Sequence, residues 1–299
     1  MFIHWHNKRM SAEIQGVIWM ISASFWFSLM TVLIRHLSSH VHPLLAVFFR
    51  CFFALVIMLP WVLRNGRKMW ETHHFRFHFY RSFTGLIGMA TWFMALALIP
   101  APDAVALSFT VPLFTSLLAV FFLREKMGLH RIAALIIGFC GMLVVLRPGE
   151  NVISTGALLA MSAVFTWSLS NILIKKMSRH DSPETLVFYF SLLMVPFSLP
   201  FAIIYWQDLT LEQWAVLFLL GYTSNQAQYS VAMAYTKAEV TLLLPIDFSR
   251  LIFVSIMAWL AFDEAPDIWT VLGSVIIFGS AVYITHREAR ARKKSRNVI

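Results

Sequence analysis

Ten apolar stretches, each about 20 residues long and separated by short polar or proline-containing breaks, constrain the fold of this chain more than any other feature. A helix of that length spans the hydrocarbon core of a bilayer, since it rises about 1.5 Å per residue. Only 13% of the residues are charged, about half the fraction found in a soluble domain. We predict an all-α integral membrane protein whose ten transmembrane helices cover residues 12–34, 43–63, 79–99, 103–123, 130–147, 154–174, 184–205, 212–235, 239–262 and 268–286.

Basic residues fall mainly on one side of the predicted bundle. If the amino terminus is cytoplasmic, 20 of the 24 Lys and Arg residues lie in inner segments or at the inner ends of spans. The other four are Arg35 and Arg147, in outer loops, and Arg50 and Arg250, deeper inside spans. Cytoplasmic loops of membrane proteins carry such an excess. We therefore predict cytoplasmic termini and a multi-pass protein of the inner (plasma) membrane. The basic tail, residues 287–299, is then expected to face anionic lipid rather than nucleic acid.

The two halves of the chain are similar in sequence. "SFWFSLMTVLIRHLSSHVHPLLAVFF" aligns without a gap with "VFTWSLSNILIKKMSRHDSPETLVFY", which places Ser28 opposite Ser168, and "FTSLLAVFFLREK" aligns with "FVSIMAWLAFDEA". The chain therefore divides into five-span halves, residues 12–147 and 154–286. Because five is odd, the halves must cross the membrane in opposite senses. Such inverted repeats are typical of transporters that bind substrate between the halves and expose it to each side in turn.

Several of these segments resemble the EamA-type drug/metabolite transporters. "ALSFTVPLFTSLLAVFFLREKMGLHRIAALIIGFCGMLVVLRPG" is similar to the fourth and fifth spans of that family, "RCFFALVIMLP" to its second span, and "WLAFDEAPDIWTVLGSVIIFGSAVYI" to the end of its second repeat. The resemblance covers nearly all of residues 12–286. It implies ten spans, two EamA repeats, a bacterial inner membrane and movement of a small metabolite. The chain departs from the family pattern at Arg124, where many members have glycine, and at "IDFSR", where many members are uncharged.

Three charged residues inside spans are candidate substrate ligands, because an ionisable group in hydrocarbon must face protein or water. Asp247 and Arg250 lie one helical turn apart, and Pro245 before them removes a backbone hydrogen bond and opens the helix. Arg250 is suited to holding a carboxylate or phosphate through two hydrogen bonds, with Asp247 tuning it or taking up a proton. The alternative is a structural ion pair. Arg50 is interpreted as an outer gate, a substrate contact or a structural anchor.

Polar and aromatic side chains in three other spans are the remaining candidates. A polar group inside a span normally faces a cavity or another helix. Aromatic rings more often pack, but they also bind cations and planar ligands. We predict that a cavity between the halves is lined by Tyr222, Asn225, Gln228 and Tyr229 of the eighth span, Trp167 and Asn171 of the sixth, and Trp92 of the third.

Further residues of the spans are expected to hold helices together. Glu125 and Glu264 end repeat-related spans, and we interpret both as pairing residues. Asp103 begins the fourth span and is suited to capping its helix. Close helix contacts are predicted at the glycine pairs Gly85/Gly88, Gly138/Gly141 and Gly273/Gly279.

No sequence pattern indicates an enzyme or a cofactor. The chain lacks the GxSxG, P-loop and HExxH motifs, and Cys51 and Cys140 have no metal-binding spacing. We predict a secondary transporter for a small metabolite with an anionic group, such as an amino-acid derivative, a carboxylate or a zwitterion. An exporter of apolar or cationic compounds and a non-transporting membrane protein are the alternatives. The direction of transport, coupling to a proton or a counter-solute, and a monomer or homodimer are left open.

Overall fold

The computed structural model describes residues 12–65, 72, 74–123, 129–147, 154–177, 183–238 and 240–296, and most of them are helical. These residues contain no β-strand, and the all-α prediction is confirmed. The helices are α1 (Ala12–Leu37), α2 (Pro43–Asn65), α3 (Phe75–Leu98), α4 (Ala101–Ser108), α5 (Val111–Leu123), α6 (Leu129–Leu146), α7 (Thr155–Met177), α8 (Pro183–Ile204), α9 (Leu211–Lys237), α10 (Val240–Asp247), α11 (Ser249–Phe262) and α12 (Ile268–Arg296).

Several helices have the length and composition of membrane spans. Among the described residues, five segments are long and apolar enough to cross a membrane, and four other apolar segments are shorter. One of the five, Ala101–Phe122, includes both α4 and α5. The number of spans and the orientation of the termini stay predictions. The five segments that are long and apolar enough to cross a membrane are Ala12–Leu37, Pro43–Pro60, Phe75–Leu98, Ala101–Phe122 and Thr155–Ile174.

The bundle is apolar outside and contains hydroxyl groups inside. Large apolar side chains such as Phe121, Ile203 and Leu260 are exposed, whereas Ser28 and Ser168 are fully buried. Lipid favours this arrangement, because hydrocarbon solvates apolar side chains and buried hydroxyls find acceptors only within the protein. The distribution of side chains therefore matches that of a multi-pass membrane protein.

The predicted fourth and ninth spans are each two helices rather than one. Phe109 and Thr110 separate α4 from α5, and Phe248 alone separates α10 from α11. A proline lies near each break, Pro112 after the first and Pro245 before the second. Proline has no N–H to donate, so each of these spans lacks one backbone hydrogen bond close to its break. The breaks occupy repeat-related positions, since Phe109 aligns with Phe248.

Contacts between the two halves are reciprocal. Helix α1 of the first half packs against α9 and α11 of the second, and α7 of the second half packs against α3 and α5 of the first. The hydroxyl of Ser28 lies 2.9 Å from the carbonyl oxygen of Arg250, and that of Ser168 lies 3.1 Å from the carbonyl oxygen of Val111. Each hydroxyl shares its hydrogen between that carbonyl and one in its own helix at 2.8 Å. Ser28 and Ser168 are the serines that the repeat alignment pairs. Each half therefore places a hydroxyl donor beside the break in the other half.

Glycines allow α6 and α12 to approach closely. A Cβ atom on Gly273 would lie 2.6 Å from the carbonyl oxygen of Gly141 and 2.5 Å from a methyl carbon of Val145. A Cβ atom on Gly279 would meet nothing within 4 Å. The predicted close contact is thus present at Gly273, whereas the prediction for Gly279 is wrong, because that residue lies on the exposed side of α12.

We expect Gly273→Val to lower the free energy of unfolding by about 1–3 kcal/mol, the usual result of forcing atoms into a packed interface. Gly279→Val is the matched control on the same helix, and it should change stability by less than about 0.5 kcal/mol. Thermal unfolding of the purified variants in detergent measures both effects. Equal melting temperatures for the two variants would contradict the close contact of α6 with α12.

Candidate functional site

Asp247 and Arg250 lie on either side of the break between α10 and α11, inside the bundle. Nη2 of Arg250 is 3.7 Å from Oδ2 of Asp247 and 3.4 Å from the hydroxyl of Ser108. Both distances exceed the roughly 2.8 Å of a strong charge-assisted hydrogen bond. Nε of Arg250 is buried without a hydrogen-bond partner. The guanidinium group therefore keeps donors that no described residue uses, while the side chains of Arg250 and Asp247 are 20% and 28% exposed.

Aromatic rings surround this guanidinium group. Its central carbon lies 5.0 Å from the ring centre of Phe109 and 5.7 Å from that of Phe27, within the range of cation–π attraction. Phe109 in turn lies against Phe248 at a centroid distance of 5.0 Å, and Phe248 lies against Phe278 at 4.4 Å. The rings reduce the access of water to the charge and so strengthen its attraction for an anion.

Sequence reasoning missed the residues that support the charged pair. Phe109 could have been found, because the repeat alignment places it opposite Phe248. Ser24 donates weakly to the carbonyl of Asp247 at 3.5 Å, which together with the Ser28 bond fixes the backbone at the break.

Arg50 is a second guanidinium group inside the bundle with unused donors. Its Nη1 contacts the thioether sulfur of Met89 in α3 at 3.1 Å, and its Nε is buried without a partner. A thioether is only a weak acceptor. No carboxylate of the described residues lies within ion-pair distance of Arg50. Its role in substrate binding or gating stays a prediction.

Trp92 and Trp167 come together although they belong to different halves. Their ring centres are 5.2 Å apart with the planes inclined at 50°. Gly88 makes room for this pair, since a Cβ atom there would lie 2.7 Å from the indole of Trp167. The repeat alignment places Trp167 opposite Phe27. The two halves thus present an aromatic ring at the same repeat position, one beside Arg250 and one beside Trp92.

The remaining candidates do not join the charged pair. In the described part of the chain, none of them makes a hydrogen bond, ion pair or ring contact with Asp247 or Arg250. Asn225 donates to the carbonyl of Ala54 in α2 at 2.9 Å, which is the interhelical alternative. Tyr222 and Tyr229 make edge contacts with α1, while Gln228 and Asn171 are exposed. Their place in a cavity stays a prediction.

A closed ion pair between Arg35 and Glu264 joins the two halves away from Asp247 and Arg250. Arg35 donates through Nε and Nη2 to Oε1 of Glu264 at 3.0 and 2.6 Å, and through Nη1 to the carbonyls of Leu96 and Ala97 at 2.9 and 3.0 Å. Oε2 of Glu264 accepts from the backbone N–H of Ala101 at 3.1 Å. Glu264 is therefore a pairing residue, as predicted, whereas Glu125 lies outside the described residues.

Two further contacts join the halves near this ion pair. Arg147 is paired with Asp267, whose Oδ1 also accepts from the N–H of Thr270 at 2.8 Å at the start of α12. Asp103 accepts from the hydroxyl of Thr270 at 2.7 Å, so its carboxylate joins α4 to α12. The two arginines of the predicted outer loops, Arg35 and Arg147, are thus both neutralised by carboxylates of the second half.

Comparison with known proteins agrees with this fold. The model of the EamA-like transporter family matches residues 14–147 and 154–286. The riboflavin transporter of Vibrio cholerae is 32% identical and covers 95% of this chain and 97% of its own. The S-adenosylmethionine uptake transporter of Rickettsia bellii is 30% identical, with coverage of 93% and 96%. The pseudopaline exporter of Pseudomonas aeruginosa is 26% identical, with coverage of 90% and 95%.

A solved crystal structure shares the fold. It superposes with a TM-score of 0.62 at 19% identity, covering 94% of this chain and 98% of its own. The family matches fall on the two halves that the internal alignment defines, and relatives of 30% identity or more match nearly the whole length. The chain therefore belongs to the EamA-like transporter family, as a two-repeat membrane transporter and not an enzyme.

Proposed function

We propose that this protein is a secondary carrier that moves a small metabolite with at least one anionic group across the bacterial inner membrane. The observation that carries the proposal is the incompletely bonded guanidinium group of Arg250 inside the bundle. An arginine in that position is costly unless it serves a ligand or a fixed partner. Asp247 and Ser108 both lie too far away to bond it tightly.

A ligand carboxylate or phosphate would satisfy this group. It would accept two parallel N–H bonds from the guanidinium. No described residue provides such a paired acceptor. The rings of Phe27 and Phe109 lie within cation–π distance of the guanidinium, and neither ring can accept the strong hydrogen bonds that an anion would. The site then binds its cargo through charge, and the aromatic surroundings add contacts for an apolar or planar part of the same molecule.

The names of the relatives suit a substrate with a planar ring system. Riboflavin and S-adenosylmethionine both contain a heteroaromatic ring and a polar chain, but only S-adenosylmethionine has a carboxylate. The ring pair Trp92–Trp167 and the cluster around Phe109 offer aromatic surfaces of the required kind. A requirement for an anionic group therefore distinguishes S-adenosylmethionine, which has a carboxylate, from riboflavin, which has none.

Alternating access follows from the two-repeat architecture. We infer ten spans with the halves inserted in opposite senses, which the reciprocal contacts of α1 and α7 support. The excess of basic residues on one side favours cytoplasmic termini. The Arg35–Glu264 and Arg147–Asp267 pairs join the halves, at the end of the bundle that we infer to be the outer one. Rocking of one half against the other must break these pairs to open the site outward.

The anion contact can be tested with two pairs of ligands that differ in one charged group. Riboflavin is compared with riboflavin 5′-phosphate, and decarboxylated S-adenosylmethionine with S-adenosylmethionine, by thermal shift of the purified protein. We expect the member with the added anion to bind more tightly in each pair that binds. Arg250→Gln should weaken that member by about tenfold or more, the value of one or two hydrogen bonds to a charged group.

Arg147→Gln is the control, because it removes the same charge at the outer end of the bundle. It should leave the preference for the anionic ligand unchanged, and Arg250→Lys should restore part of it by keeping the charge without the paired N–H groups. A preference for anionic ligands that survives in Arg250→Gln, or its absence from the unmodified protein, would contradict the proposal. The second result would favour an exporter of apolar or cationic compounds.

A further inference from the structure

Two of the arginine–carboxylate pairs in the described part of the chain differ sharply in geometry. In the Arg35–Glu264 pair the closest N–O distance is 2.6 Å, and both residues also bond backbone groups. In the Arg250–Asp247 pair the closest distance is 3.7 Å. The first has the bonding of a structural ion pair. The second is open, because 3.7 Å exceeds the length of a charge-assisted hydrogen bond.

Both members of the open pair keep unused bonding capacity. Nε of Arg250 has no partner, and in the described part of the chain no hydrogen bond reaches the carboxylate of Asp247. The backbone at the break offers little to a ligand, because Ser24 and Ser28 already contact the carbonyls of Asp247 and Arg250. Recognition at this position therefore depends on the two charged side chains.

We infer that the open pair binds the zwitterionic head of an α-amino carboxylate, with the ligand carboxylate on Arg250 and the ligand ammonium on Asp247. The inference rests on the proposed function and narrows its substrate class. The ammonium and carboxylate groups of an α-amino acid are separated by one carbon, which suits acceptor and donor atoms 3.7 Å apart. Each charge of the site meets its opposite on the ligand, so the buried pair is fully satisfied only when the site is occupied.

Asp247 also gives the site its selectivity. A ligand with only an anionic group would meet the guanidinium but would lie beside an uncompensated carboxylate, and a ligand with only a cationic group would meet the reverse. Simple acids and amines are therefore disfavoured relative to the zwitterion. The rings of Phe27 and Phe109 beside Arg250 favour an amino acid or derivative with an aromatic or heteroaromatic portion.

The test compares a zwitterion with analogues that lack one charge. The probes are tryptophan, indole-3-propionate, which lacks the ammonium group, and tryptamine, which lacks the carboxylate, together with S-adenosylmethionine and its decarboxylated analogue. Binding to the full-length protein is measured by thermal shift and by equilibrium binding. We expect at least one zwitterion to bind about tenfold more tightly than each of its single-charge analogues.

Asp247→Asn should abolish the preference for the zwitterion over the ammonium-free analogue and keep the preference over the amine. Arg250→Gln should do the reverse. Equal affinity of the unmodified protein for a zwitterion and its analogues, failure of every zwitterion to bind, or an unchanged preference in Asp247→Asn would each overturn the inference. The first two results need no variant, so the test does not depend on the folding of Asp247→Asn.

Failure of this inference can be told apart from failure of the proposed function. Riboflavin 5′-phosphate or indole-3-propionate could bind more tightly than the zwitterions, with an affinity that depends on Arg250. That result would contradict zwitterion binding and still support a carrier of anionic metabolites. If no ligand depends on Arg250, both are wrong. A structural role of the pair predicts the latter result, with lower melting temperatures for both variants.

Discussion

Replacing Arg35 with glutamine is expected to lower the free energy of unfolding by about 3 kcal/mol, because it leaves a partly buried carboxylate without its counter-charge. The Arg35 and Glu264 side chains are only 24% and 15% exposed. The change also removes the donor to the carbonyls of Leu96 and Ala97. Thermal or denaturant unfolding in detergent measures the loss.

Arg147→Gln is the matched control for this prediction. Arg147 is paired with Asp267 near the same end, but the two side chains are 30% and 42% exposed. A pair that water reaches contributes about 1 kcal/mol or less. Equal losses of unfolding free energy in the two variants would show that the Arg35–Glu264 pair stabilises the protein no more than the Arg147–Asp267 pair does. In a double-mutant cycle, Arg35→Gln combined with Glu264→Gln should recover part of the loss, since no unpaired charge is left.

Cross-linking positions 35 and 264 is expected to abolish transport while leaving ligand binding intact. The variant carries Arg35→Cys and Glu264→Cys and lacks the native Cys51 and Cys140 thiols. A short bis-methanethiosulfonate reagent joins the two introduced cysteines. If the halves must separate at this end to release or accept the cargo, the linked protein cannot complete a cycle. Transport in proteoliposomes should return after reduction.

The single variant Glu264→Cys, treated with the same reagent, controls for modification without cross-linking. It should transport at the rate of the untreated single variant. Undiminished transport by the linked protein would show that this end of the bundle stays closed during the cycle. The alternating-access part of the proposed function would then be wrong, whereas the anion site would be unaffected.

The sequence contains enough information to predict the helices and the repeat. Span lengths follow from the thickness of the bilayer, and the similarity around Ser28 and Ser168 defines two halves without any coordinates. The sequence also indicates Arg250 and Asp247 as candidate site residues, because a charge in an apolar run is rare and costly. The family match on residues 14–147 and 154–286 confirms the division into two repeats.

Other features depend on which helices become neighbours, which no periodic pattern records. The amide of Asn225 fits a cavity or a helix contact equally well, and only the packing of α9 against α2 brings the carbonyl of Ala54 to it. Arg35 and Glu264 are 229 residues apart, so their pairing is a property of the assembled halves. Gly279 resembles Gly273 in the sequence, yet it faces away from α6.

The contacts of Ser28 and Arg35 with the second half affect how the chain folds during its insertion into the membrane. The ribosome delivers Ser28 and Arg35 long before their partners in α11 and at Glu264 exist. Until Glu264 emerges, the Arg35 guanidinium lacks its carboxylate and has only the carbonyls of Leu96 and Ala97 to accept its N–H groups. The nascent first half therefore gains this counter-charge, and with it the contact to the second half, only when the last spans are synthesised.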